Sequence, residues 1–158
     1  KRTFSSRYIR SFHISGAVLI MHWSSKYIGI PYQDKGRSHE SCDCWGIVYL
    51  VLLEQFGVRV PTYTEDYTAT NEGYKTEIHD LIHRERSGQL WISVNQGQEM
   101  PGDVINLRIL GKDWHTGVVV DKNEFIHVLG GHETVIERYD SFKWKKRIAG
   151  FFRHADLS

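Results

Sequence analysis

The sequence predicts an α+β domain in which N-terminal helices pack on a C-terminal, mostly antiparallel sheet. Three observations predict it. Residues 43–56 contain no proline and are apolar at almost every position up to Glu54, while residues 74–86 carry Ile78, Leu81 and Ile82 at helical spacing. From residue 91 onward the pattern changes to short β-rich runs parted by Gly, Asn or Asp. Helices first and strands second is the order of an α+β domain, not of alternating βαβ units. A chain of 158 residues, 41% hydrophobic and 25% charged, is long enough for one core without staples.

Residues 1–20, KRTFSSRYIRSFHISGAVLI, are basic and Ser-rich, then briefly apolar. They read as an N-terminal extension or docking arm ahead of a single domain over 21–158. The same stretch loosely imitates a secretion signal, but its apolar part is short and lacks an A-x-A exit. HWSSKYIGIPY, residues 22–32, reads as a short helix capped by Ser24 or Ser25 and ended by Gly29 with Pro31, and QDKGRSHES as a loop. The central helix follows over 43–56, with Asp43 as N-cap and Gly57 as the stop. VRVPTYTEDY then turns the chain away before the amphipathic second helix. WISV, DVINLRIL, HTGVVVD, EFIHVLG, TVIERY and RIAGFFR are the six expected strands.

Twenty basic and 19 acidic residues nearly cancel, so net charge calls for neither nucleic acid nor an anionic membrane. The longest apolar run, GIVYLVLL at 46–53, is far short of the roughly 18 to 20 residues of a membrane span. YDSFKWKKR, residues 139–147, interleaves aromatics with basic residues, but without a second basic cluster it reads as a solvated edge or loop.

Cys42 and Cys44 are the only cysteines. An i, i+2 pair is too close for an unstrained disulfide, and none of the nine histidines lies at a zinc-ligand offset from it. Cys44 falls in the first turn of the central helix, where unpaired N–H groups and the helix dipole favour a thiolate. Cys42 reads as a packed small hydrophobe. A base can come from the strands. His115 opens one and His127 lies on the next, across a turn at Lys122 and Asn123, so neighbouring antiparallel strands bring two imidazoles together. Cys44 as nucleophile, His115 as base and His127 as orienter complete a nucleophile, base and orienter set. His13, His79, His83, His132 and His154 are expected to be solvated.

In order along the chain, KYIGIPYQDKG, CDCWGIVYLVLLEQFGVRVP, MPGDVINL, HTGVVVDKNEFIHV and RIAGFFR resemble the successive motifs of the NlpC/P60 cysteine peptidases, over roughly residues 23 to 153. The family's Asp-Cys-Ser-Gly stands here as Asp43, Cys44, Trp45 and Gly46, its Pro-Gly-Asp as Pro101, Gly102 and Asp103, and its His-Val-Gly as His115, Thr116 and Gly117. Its third polar position falls on His127. The resemblance implies a papain-like fold and hydrolysis of peptidoglycan stem peptides, commonly between D-glutamate and a diamino acid, with no metal or organic cofactor. It implies attack by the Cys44 thiolate, a thioacyl intermediate, and His115 as acid and base. It also places Tyr32, Asp43 and Trp45 at oxyanion and substrate-binding positions, with backbone N–H groups at the helix start.

Two departures stand out. Trp45 replaces the serine that reads the substrate's free amino end in many members, and Gln33, Asp34, Lys35 and Gly36 replace Trp-Gly-Gly. Both are similar to the subgroup found with phage tails and gene transfer agents. That implies a tail-tip location, and other tail-tip proteins as partners of the arm, with no nucleic acid and no membrane span. No wall-binding repeat accompanies the domain, so delivery to the wall is expected to come from the tail. Three other readings stay open: a structural tail-tip component that keeps the fold, an acyl-transferring or lipid-hydrolysing enzyme with a long apolar groove at Cys44, and a secreted or periplasmic bacterial wall enzyme.

Overall fold

The computed structural model describes residues 10–14 and 17–157. The arm expected over residues 1–20 lies partly outside them. Its described part forms β1 (Arg10–Ile14) and, ending at Met21, β2 (Ala17–Met21), an antiparallel hairpin that is a sheet of its own.

The predicted helix at 22–32 is a single 3-10 segment, Trp23–Tyr27. Its N-cap is His22, not Ser24 or Ser25, because the His22 ring nitrogen accepts from the Ser24 N–H and its hydroxyl. The central helix is α1 (Cys44–Phe56), begun by Asp43 and closed by Gly57 at φ 69°. The Gly57 and Val58 N–H groups satisfy the carbonyls of Leu53 and Leu52 at 3.2 and 2.9 Å. Ile47, Val48, Val51 and Leu52 are fully buried, so α1 is covered on most sides as its composition requires. Each such side chain contributes about 1.5–3 kcal/mol of apolar transfer energy before entropy is charged. The amphipathic helix is α2 (Lys75–Arg86), which buries Ile78 and Leu81.

Six strands follow: β3 (Trp91–Val94), β4 (Val104–Ile109), β5 (Lys112–Asp121), β6 (Glu124–His127), β7 (Val135–Arg138) and β8 (Ile148–His154). They form one antiparallel sheet in the order β3-β8-β4-β5-β6-β7. This is the α+β arrangement expected, with helices on a C-terminal sheet. β5 starts three residues before the expected HTGVVVD run, because its pairing with β4 resumes beyond a bulge at Leu107/Arg108.

Alternation along β5 divides two cores. Val118 and Val120 join Ile126 and Val128 beneath α1, whereas Val119 joins Phe125, Tyr139, Trp144 and Phe151. Two sequence expectations are corrected here. His154 is buried, its ring edge-on to Trp91 at 5.1 Å, because β8 turns it inward at the strand end. The 139–147 stretch is a series of turns in which Tyr139 and Trp144 are core residues, while Phe142 and the lysines stay exposed. Among the described residues no helix is long and apolar enough to cross a membrane.

Candidate active site

The site grows from the start of α1. Asp43 is fully buried, and its carboxylate accepts four hydrogen bonds: the Gly46 N–H at 2.7 Å, the Lys35 N–H at 2.8 Å, Arg37 Nη1 at 2.7 Å and the Tyr67 hydroxyl at 2.5 Å. Arg37 also donates to Tyr67 and to the Thr62 carbonyl. The N-cap thereby ties the helix start to the 33–42 loop and to the segment that follows α1. Gly46 is required by closeness. A Cβ there would stand 2.1 Å from the Gly36 carbonyl oxygen and 2.8 Å from Cys42 Cβ.

Cys44 is the first residue of α1 and is 7% exposed. Its carbonyl accepts from Thr116 Oγ1 at 3.2 Å, which pins the helix start to β5 one residue beyond His115. Cys44 and His115 line one cleft of about 430 Å³, whose walls include Tyr32, Thr70, Trp114 and His132. His115 Nε2 lies 2.9 Å from His127 Nδ1, and His127 Nε2 lies 2.7 Å from Glu137 Oε2. Both rings are buried. Phe125 stacks on His127 at 4.4 Å and Trp144 stacks on His115 at 6.0 Å.

The approach of the two imidazoles depends on Gly117. The β5–β6 register pairs Val118 with Ile126, and continued by one residue it sets Gly117 opposite His127. A Cβ at Gly117 would lie 2.6 Å from the Ile126 carbonyl oxygen and 3.1 Å from His127 Cβ. Gly117→Ala is therefore expected to lower stability by about 1–3 kcal/mol through overpacking and to displace His127, read by urea unfolding and by the His127 ring resonances.

The sequence places a thiolate at Cys44; the structure does not. Burial pushes the Cys44 thiol up to about 12, helped by the Asp43 charge and opposed by hydrogen bonding from Thr116, and this outweighs the helix N-terminus. Burial likewise drives His115 well below 6.5, with His127 and Lys143 adding to the effect. His127 is lowered to about 4 by burial, against the pull of Glu137. The resting pair is thus a neutral thiol and a neutral imidazole.

These shifts carry a sign for stability. An imidazole lowered to about 4 takes up its proton in the unfolded chain from about pH 6.5, so stability is complete above that pH and is lost as pH falls toward 4. His127 alone accounts for up to about 3 kcal/mol, and His115 and His154 act in the same direction. Urea unfolding at pH 7 and pH 4.5 is expected to show that loss, and His127→Asn to reduce it.

The remaining expected site residues fall as follows. The Tyr32 hydroxyl stands on the cleft wall but donates to Asp34 Oδ1 at 2.6 Å and contacts Thr70, so in this geometry its proton is not offered to an oxyanion. Trp45 turns away from the cleft lined by His115. Its Nε1 donates to the Pro61 carbonyl at 2.8 Å and its ring meets Tyr63 and Trp91. It lines a second, apolar cavity of about 60 Å³ that touches Cys44 and is bounded by Tyr63, Leu81, Trp91 and Phe152.

Cys42 is buried and unbridged. His79, His83 and Asp113 bring ligand atoms within 4.8 Å of one another, but Asp113 already receives Arg86 and Arg108 at 2.9 Å, charges that oppose a cation. Glu137, Trp144, Thr116, Arg37 and Tyr67 are the members of the site that sequence reasoning missed. Only Glu137 had a usable signal: with β6 and β7 paired antiparallel, it lies on the same face as His127, one diagonal step away.

The NlpC/P60 family matches residues 29–153, most of the chain and all of the site. The chain belongs to the NlpC/P60 family. The family is one of cysteine peptidases. Among relatives, the chain is 24% identical over 128 residues to "Murein DD-endopeptidase MepS/Murein LD-carboxypeptidase" of Escherichia coli K12, covering 81% of this chain and 57% of that protein. It is 23% identical over 116 residues to "Tail tip assembly protein K" of Escherichia phage N15, covering 73% and 46%. The chain thus spans about half the length of these relatives. Among solved structures, the NlpC/P60 domain of the peptidoglycan hydrolase SagA superposes with a TM-score of 0.52 at 22% identity, over 82% of this chain and 91% of that one. That likeness establishes the fold.

Proposed function

We propose that this NlpC/P60 domain is a peptidoglycan stem-peptide endopeptidase that uses Cys44, His115 and His127, and that it is carried on a phage tail tip to open the host wall locally. The observation that carries the enzymatic part is the cleft that Cys44 and His115 share, with His127 hydrogen-bonded behind His115. The name of the Escherichia coli relative specifies murein, and that of the phage N15 relative specifies tail-tip assembly. Cys44 Sγ attacks the amide carbonyl while its proton passes to His115. His115 then delivers that proton to the departing amine, and water releases the thioacyl group. Backbone N–H groups at the start of α1 stabilise the developing oxyanion, that of Gly46 excepted because Asp43 Oδ1 already holds it. Purified sacculi incubated with the wild type are expected to release fragments bearing new amino termini, and sacculi incubated with Cys44→Ala none. No release by the wild type overturns the proposal.

A structural role in the tail tip is the second reading, favoured by the likeness to protein K and by Trp45, which is built into the packing between α1 and β3. Particles carrying Cys44→Ala distinguish the two. Normal assembly with weakened entry supports the enzyme, and unchanged entry supports the structural role. The arm over residues 1–20 is the proposed docking element for neighbouring tail-tip proteins, and immunoblots of purified particles test the location.

A further inference from the structure

The hydrogen-bonded chain does not end at His127. Glu137 Oε2 receives the His127 ring at 2.7 Å and Trp144 Nε1–H at 2.8 Å, and Lys143 Nζ donates to both carboxylate oxygens at 3.0 Å. A carboxylate accepts only, while tryptophan and lysine donate only. Glu137 is kept ionised by these partners, its carboxyl held below the usual range despite the opposing effect of burial. Every hydrogen bond at Glu137 therefore runs toward it. His127 must carry its proton on Nε2, and a neutral His127 then offers a bare Nδ1. The partner of that Nδ1 is His115 Nε2, 2.9 Å away, so His115 must be the donor there. The only unprotonated nitrogen left on His115 is Nδ1.

We propose that Glu137 is the positioning residue that sets the tautomers of both imidazoles, so that His115 presents an unprotonated Nδ1 to Cys44. The proposal rests on the reading of Cys44 as nucleophile and His115 as its base. The proton balance is simple. As Sγ bonds to the carbonyl carbon, its proton moves to His115 Nδ1, and the imidazolium so formed keeps its Nε2–H directed at His127. The same proton leaves from Nδ1 to the amine nitrogen when the C–N bond breaks. Trp144 has two parts in this device: its N–H orients the carboxylate, and its ring covers both imidazoles, stacked on His115 and edge-on to His127. Both rings are almost closed to solvent, whereas the Glu137 carboxylate behind them is partly exposed and borders, with His127, an open pocket of about 650 Å³. The acceptor is therefore to be removed with a leucine, which fills the space, rather than an alanine, which admits water. Serine hydrolases use a carboxylate directly on the base for the same purpose. Here the carboxylate acts one imidazole further away.

The test is nitrogen-15 NMR of the histidine rings in the wild type, Glu137→Leu and Glu137→Gln, without substrate, so that a failure of the hydrolase reading leaves the readout intact. The wild type is expected to show His115 protonated at Nε2 only. Glu137→Leu, which removes the acceptor, is expected to show a second His115 population protonated at Nδ1. Turnover is expected to fall by about 10- to 100-fold with KM within about twofold. Glu137→Gln, whose carbonyl oxygen can replace Oε2, is expected to keep the wild-type tautomer. A wild type protonated at His115 Nδ1 overturns the proposal whether or not the variants fold. So does a folded Glu137→Leu with an unchanged His115 signal.

Discussion

Replacing His115 by alanine is expected to lower kcat by about 10²–10⁴-fold while leaving KM within a few-fold of the wild type. The reason is the state of the thiol. Burial pushes the Cys44 thiol well up, so at neutral pH it rests protonated and is not a standing thiolate nucleophile. On the proposed mechanism the proton leaves as the carbon–sulfur bond forms, and His115 is the imidazole that lines the cleft with Cys44 to receive it. The same geometry fixes the pH profile. Protonation of His115 removes the base, and burial has moved that event well below 6.5, so activity is expected to persist into mildly acidic solution. An acid limb near or above pH 6.5 would contradict a buried, neutral base. Initial rates from pH 4.5 to 9 on a synthetic stem peptide read both effects.

The second large effect is on stability. Asp43→Ala is expected to cost about 3–5 kcal/mol, because it leaves the largely buried Arg37 guanidinium, its side chain 11% exposed, without its counter-charge and strips α1 of its cap. Native domains are stable by only about 5–15 kcal/mol, so much of the fold's margin depends on this carboxylate. Arg37→Met separates the two contributions. In that background no stranded cation remains, and Asp43→Ala is expected to cost about 1–2 kcal/mol, the value of a cap. Equal costs in both backgrounds would show that the buried ion pair contributes nothing. Urea unfolding of the four proteins completes the cycle. Activity should follow folding, since Asp43 sets the position of Cys44 and its oxygens are already taken by four donors within the chain.

What was legible in the sequence is what depends on neighbours along the chain. Asp43 and Gly57 mark the ends of α1 because caps are local, and the change of period after residue 90 marks the sheet because alternation is local. His115 and His127 could be paired because a short turn joins their strands. The rest depends on contacts between distant segments. Arg37, Asp43 and Tyr67 meet from three stretches of chain with no common pattern. Glu137 becomes visible only once the β6–β7 register is known, and Trp144 only once the turns after β7 fold back beneath the imidazoles. The Cys44 thiol departs from the thiolate its position along the chain suggests for the same reason. A helix N-terminus is written in the sequence, whereas burial, which here outweighs it, is a property of the packed molecule.

The central claim is that Cys44 becomes covalently bonded to the acyl part of a stem peptide. Rapid acid quenching of the wild type with a synthetic stem peptide, followed by peptide mass spectrometry, tests it most directly. The expected result is a thioacyl adduct confined to the peptide that contains Cys44, appearing with the first equivalent of released amine and absent from Cys44→Ala. Undiminished release of amine by Cys44→Ala, with no adduct on the wild type, would contradict it.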